Sequence, residues 1–119
     1  MHVNFGNYLL KLRIRAKLSL RDVCNQVDYD PSNWSKIERN RLAPPSDDET
    51  LQKWAGVLGL RPETKEYRDF FDRAHLAKGL IPTDILNNTN AMEKMPALLR
   101  RLRKYSADER EQQKEDESS

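Results

Sequence analysis

One apolar spacing recurs along this chain, and it limits what the chain can fold into. Phe5, Tyr8, Leu9, Leu12 and Ala16 lie at helical intervals. Leu20, Val23, Cys24 and Val27 follow i, i+3, i+4, i+7, as do Leu51, Trp54, Ala55 and Leu58. The same pattern returns in Tyr67, Phe70, Phe71 and Ala74 and again in Met95, Leu98, Leu99 and Leu102. Each set covers one face of a helix, and no stretch alternates as a half-buried strand does. The stripes differ in length and linker, so no solenoid repeat organises them. The fold class is all-α.

Start and stop signals separate the helices. Ser19 precedes the second, Ser46 with Glu49 three residues on predicts a capping box for the fourth, and Gly59 follows it. Pro62 is expected to open the fifth helix and Gly79 to close it. Pro96 is expected to begin the last helix, because a proline inside a helix costs about 3 kcal/mol. With 119 residues, 37% of them hydrophobic, the chain can bury one modest core rather than a deep pocket. The expected organisation is a core domain over residues 1–60, a helical extension over 61–104 and an acidic tail over 105–119.

No run approaches the roughly 18 apolar residues of a membrane span, and "MHVNFGNYLL" lacks the basic flank and apolar centre of a secretory signal. A single cysteine, Cys24, agrees with a reducing compartment. A cytoplasmic protein with no membrane partner is therefore expected. The net charge of +2 hides an asymmetry: residues 1–104 hold 19 Lys and Arg against 13 Asp and Glu, and residues 105–119 hold 2 against 6. A basic body with an acidic tail fits either an ordinary solvated surface or a nucleic-acid partner. The tail "SADEREQQKEDESS" has no apolar residue beyond Ala107 and reads either as a solvated helix begun by Ser106 and Glu109 or as disordered.

The segment "DYDPSNWSKIERNR", residues 28–41, carries the chemistry. Asp30 is a good N-cap, and Pro31 suits the first helical position, where its missing N–H would have had no partner anyway. A short helix from Pro31 to Arg39 follows. Trp34 and Ile37 form its one apolar face, which turns Ser32, Asn33 and Lys36 outward together. Residues 20–27 make another short helix directly before it, joined through Asp28, Tyr29 and Asp30. A helix, a tight turn and a second helix is the geometry that lays a helix end in the major groove of DNA.

The run "LSLRDVCNQVDYDPSNWSKIERNRLAPPSDDETLQKWAGVLGL", preceded by "FGNYLLKLRIRAK", resembles the phage-repressor class of helix-turn-helix domains (lambda-repressor-like, XRE-type), a group that includes lambda-type repressors and many antitoxins. The resemblance covers residues 3–60, with "LSLRDV", "SKIER" and "LQKWAGVLGL" its most specific elements. "FFDRAHLAKGLIPTDI" and "MPALLRRLR" are similar to a C-terminal helical extension found in a subgroup. The resemblance implies a five-helix domain acting as a dimer on a palindromic operator in double-stranded DNA. By position it implies that Pro31, Ser32, Asn33 and Lys36 face base edges. Ser19, Leu20 and Arg21 would open a helix whose start lies near phosphate, and Arg39, Asn40 and Arg41 would touch the DNA backbone. It also implies a pair between Arg13 of the first helix and Glu38 of "IER". Side-chain chemistry agrees: asparagine can pair with the adenine edge, lysine can donate to guanine acceptors, and serine is permissive. Asp28 departs from the family, which commonly has glycine in the turn, so a slightly remodelled turn is expected. Asp28 and Asp30 bring negative charge to the proposed DNA face, and Pro31 lacks a side-chain donor, which narrows the readout.

Other residues read more plainly. Trp34, Trp54 and Cys24 sit on apolar stripes and belong to the core. His2 and His75 have no cysteine pair or carboxylate at ligand spacing, so no metal and no cofactor is implied. No nucleophile with a base and no paired carboxylates suggest an enzyme. Leu98, Leu99 and Leu102 form a stripe that either packs on the fifth helix or makes a dimer or partner contact, and Arg100, Arg101, Arg103 and Lys104 face away from it. The expected function is repression by a homodimer; the alternative is an antitoxin that neutralises a toxin protein and regulates its own operon.

Overall fold

The computed structural model describes the backbone of residues 4–118 and the side chains of residues 4–105, so His2 and the side chains of Ser106 and Glu109 lie outside the described residues. Among the described residues there are seven helices and no strand: α1 (Phe5–Arg15), α2 (Leu20–Val27), α3 (Pro31–Glu38), α4 (Asp48–Val57), α5 (Lys65–Ala77), α6 (Thr83–Leu86) and α7 (Thr89–Ser118). The fold is all-α. By internal contacts the chain divides into a unit ending at Ile81, which takes in α1 to α5, and a unit from Pro82 onward.

The ends of the first five helices share one device. After each, a residue turns left-handed: Lys17 (φ 60), Asp28 (φ 53), Asn40 (φ 59), Gly59 (φ 82) and Gly79 (φ 80). The amide of the next residue then reaches back five positions, as from Tyr29 to the Cys24 carbonyl at 3.0 Å and from Arg41 to the Lys36 carbonyl at 2.8 Å. This closes the last turn and satisfies carbonyls the helix itself cannot. Asp28 thus takes the conformation a glycine would serve in the turn between α2 and α3.

Three expected starts are corrected. The cap of α4 is Asp47, whose carboxylate accepts from the Thr50 amide at 3.0 Å, rather than Ser46 with Glu49. Both residues are good caps, but the Asp47 carboxylate carries full charge at the positive end of the helix. Pro62 does not open α5; it lies in the turn 61–64, and Thr64 caps the helix by accepting from the Tyr67 amide at 3.1 Å. Pro96 does not begin the last helix either. It lies inside α7, which starts at Thr89 where the Asn88 side chain accepts from the Ala91 amide at 3.0 Å. Ala91, Met92 and Met95 continue the Leu98, Leu99 and Leu102 face toward the N-terminus, so one helix passes through the proline. The same helix runs past Ser106 without a new start.

The first unit has one core, formed by Phe5, Leu9, Leu12, Val23, Cys24, Val27, Trp34, Ile37, Leu51, Trp54, Ala55, Leu58, Leu60, Phe70 and Ala74. No polar or charged residue among those described is buried in it. Tyr8 joins α1 to α5: its ring lies 6.3 Å from Phe70, and the Arg73 guanidinium stands 4.6 Å from its centroid. Burial, aided by Asp69, pushes the Tyr8 phenol up to about 12.

Gly6 sets the closest approach between helices. A Cβ there would run into the Ile37 carbonyl oxygen at 2.5 Å and the Glu38 carbonyl carbon at 2.7 Å, so the backbones of α1 and α3 touch where any side chain would hold them apart. Replacing Gly6 by alanine should therefore destabilise the protein by about 2 kcal/mol, the range of overpacking. Urea unfolding of Gly6→Ala checks this, and an unchanged midpoint would contradict the contact.

The second unit differs in kind. No described residue from Pro82 to Tyr105 is buried. Leu98, Leu99 and Leu102 are 45%, 39% and 52% exposed. No helix of the described residues is long and apolar enough to cross a membrane.

Candidate nucleic-acid interface

The site begins with the way α3 is held. Asp30 caps it, accepting from the Asn33 amide at 3.1 Å, and Pro31 occupies its first position. Its inner face enters the core through Trp34 and Ile37, both essentially without solvent contact. The Trp34 ring lies 4.3 Å from Trp54 of α4, and Tyr29 of the preceding turn packs edge-on against Trp54 at 5.0 Å. An aromatic trio thus joins the turn, α3 and α4 in one contact.

The C-terminal end of α3 is fastened by charge. Glu38 accepts from Arg13 Nε at 2.7 Å and Nη2 at 3.1 Å, and from the Trp34 indole N–H at 2.8 Å. Arg13 Nη1 also donates to the Leu18 carbonyl at 3.1 Å, linking the loop before α2. The two side chains are only 15% and 10% exposed, and the hydrogen bond to Glu38 pushes the Arg13 pKa up from its ordinary value. This fork geometry is the strong form of an ion pair. Asn40, just past α3, accepts from the Gly6 amide at 2.9 Å and donates to the Asn4 side chain at 2.7 Å, so its amide group ties α3 to the start of α1.

With its inner face so occupied, α3 presents Pro31, Ser32 and Lys36 as exposed residues and Asn33 as half-buried. The side chains of Ser32, Asn33 and Lys36 make no hydrogen bond within the described residues. Arg39 and Arg41 lie exposed beyond the helix end, with Arg39 Nε donating to the Ser35 carbonyl at 3.3 Å. Ser19 caps α2 in a reciprocal box, accepting from the Asp22 amide at 3.0 Å while Asp22 accepts from the Ser19 amide at 3.3 Å. Arg21 is exposed in the same first turn, and Leu20 packs partly against the core.

Two contributors escape a reading of the sequence: Asn4 and Gly6. Asn4 is the N-cap of α1, accepting from the Asn7 amide at 3.1 Å, and it also receives Asn40. An asparagine directly before an apolar stripe, followed by a glycine within it, is the signal that marks them. His75 lies along its own helix, its Nδ1 2.8 Å from the Phe71 carbonyl oxygen, and no group of three His, Cys, Asp or Glu among the described residues could hold a metal ion.

A family model described as "Helix-turn-helix domain" matches residues 4–65, which hold α1 to α4 and the turn before α5. The chain belongs to the helix-turn-helix domain family. No curated protein and no solved structure is found to match it. In a helix-turn-helix domain the second helix of the motif lies in the major groove while the first crosses the phosphate backbone, the architecture of DNA-binding regulators. In this chain α2 and α3 are the two helices joined by the turn at residues 28–30.

The Glu38 network should be the most sensitive polar contact of this helix-turn-helix domain. Glu38→Ala would leave Nε and Nη2 of Arg13 and the Trp34 indole N–H without their acceptor, a loss of about 3 kcal/mol. Urea unfolding measures it, and a loss below about 1 kcal/mol, the range of exposed pairs, would show the network to be dispensable.

Proposed function

We propose that the protein is a cytoplasmic, sequence-specific transcriptional regulator of the lambda-repressor-like (XRE-type) class. It represses its own operon as a dimer that occupies a palindromic operator and blocks transcription sterically. The observation that carries this reading is the outward row of Ser32, Asn33 and Lys36 on a helix whose opposite face is anchored by Trp34, Ile37 and Glu38. Such a row can form hydrogen bonds with base edges without giving up any internal one. Ser19, Leu20 and Arg21 at the start of α2, and Arg39, Asn40 and Arg41 beyond α3, flank that row and approach phosphates. At Asn40 this contact falls to the remaining side-chain amide hydrogen, because the backbone N–H donates to the Ile37 carbonyl at 3.0 Å.

Reading and holding separate experimentally. On an operator selected from random DNA, Asn33→Ala or Lys36→Ala should cost about 1–3 kcal/mol and relax preference at one position of each half-site. Arg39→Ala or Arg41→Ala should weaken all duplexes alike and lower the salt slope by about one unit per lost contact. Half-sites should lie about 34 Å apart, one turn of DNA. Undiminished discrimination in the Asn33 and Lys36 variants would remove α3 from the role of reader.

The dimer contact is assigned to the exposed Leu98, Leu99 and Leu102 face of α7. Leu98→Asp with Leu102→Asp should convert a sedimenting dimer into a monomer with unchanged α1 to α5 stability; a persisting dimer would place the interface elsewhere. The same exposed face supports a second reading, an antitoxin that neutralises a toxin protein through residues 61–119. A wild-type chain that sediments as a monomer at micromolar concentration would favour that reading.

A further inference from the structure

We infer that Pro31 selects thymine, its exposed ring covering the C5-methyl group of a thymine that faces the first turn of α3. The inference rests on the reading of α3 as the base-facing helix and concerns which base its first turn accepts. Pro31 has no N–H, and the Asn33 amide is held by the Asp30 carboxylate at 3.1 Å, so in this first turn only the Ser32 amide is left as a main-chain donor to a base. No cation occurs from Asp28 to Ser35; the first is Lys36, more than one turn further along. Asp28 and Asp30 are both exposed beside Pro31. The paired acceptors of guanine, O6 and N7, would therefore meet carboxylates, an apolar ring and the neutral donors of Ser32 and Asn33, with no charged donor from this turn.

The thymine methyl is the one apolar group that base pairs present in the major groove, and an apolar side chain gains by covering it. Proline suits this contact for a second reason. Its ring has almost no rotamer freedom to lose, and α3 is fixed by the Trp34 and Glu38 contacts, so the ring already stands where the contact forms. As a residue at the first helical position, Pro31 contributes to helix initiation as well, and serine there preserves an exposed, helix-compatible start.

The test uses the full-length protein and the duplex it selects from random DNA, with each thymine replaced in turn by uracil, which differs only by the missing methyl. One thymine per half-site should prove sensitive, its replacement weakening wild-type binding about fourfold per half-site, the worth of one buried methyl. The Pro31→Ser variant should bind the thymine and uracil duplexes equally. Selection of half-sites without thymine, a wild-type protein indifferent to every uracil, or a Pro31→Ser variant as sensitive as wild type would each overturn the assignment. Asn33→Ala measured on the same duplexes distinguishes the two levels. Lost discrimination there, with Pro31 indifferent to the methyl, removes only the thymine contact; full discrimination in the Asn33, Lys36 and Pro31 variants together removes α3 as the reader.

Discussion

Glu38 holds the domain's geometry together. One carboxylate receives two bonds from Arg13 of α1 and one from the indole of Trp34, while Trp34 itself stacks on Trp54 of α4. Three helices are therefore positioned through a single side chain at the end of α3, where the helix dipole alone would disfavour an anion. The Arg13 charge offsets that, and the low exposure of the pair makes its geometry unforgiving. Everything on the outer face of α3 is aimed by this inner fastening.

Much of this was legible in the sequence, because the informative residues act locally. Asp30 followed by Pro31 states a helix start through side-chain chemistry alone, and Trp34 with Ile37 states which face is inside. The starts that sequence reading misplaced involve competition between adjacent candidates. Ser46 and Asp47 can both cap, and the full charge of the Asp47 carboxylate at the positive end of the helix decides between them. Pro62 and Pro96 are each compatible with a helix start, yet one lies in a turn that ends with left-handed Glu63 before the cap Thr64, and the other lies inside a helix that the Asn88 side chain has already capped upstream. Asn40 illustrates the other limit. Its contacts with Gly6 and Asn4 span more than 30 positions, and no local pattern announces them.

Charge is distributed along the site unevenly. Asp22, Asp28 and Asp30 surround the turn and the start of α3, while Lys36, Arg39 and Arg41 follow its second half. On the proposed function, a phosphate backbone would be attracted to the latter end and repelled from the former, which would favour one orientation of a docked duplex relative to α3. The left-handed residues that end α2 and α3 reinforce this order: Asp28 and Asn40 hold the chain on either side of α3 while leaving their flanking charges exposed.

The bare contact at Gly6 has a mechanical consequence. Because at Gly6 no side chain separates α1 from the carbonyls that end α3, the two backbones have no clearance to slide over one another at that point. Close backbone contact at Gly6, with the Arg13–Glu38 pair further along α1, couples the two helices. A signal that altered the pose of α3 would have to rotate α1 with it, so any conformational control of this domain acts by moving the pair as a whole, through the joints that connect it to α2 and α4.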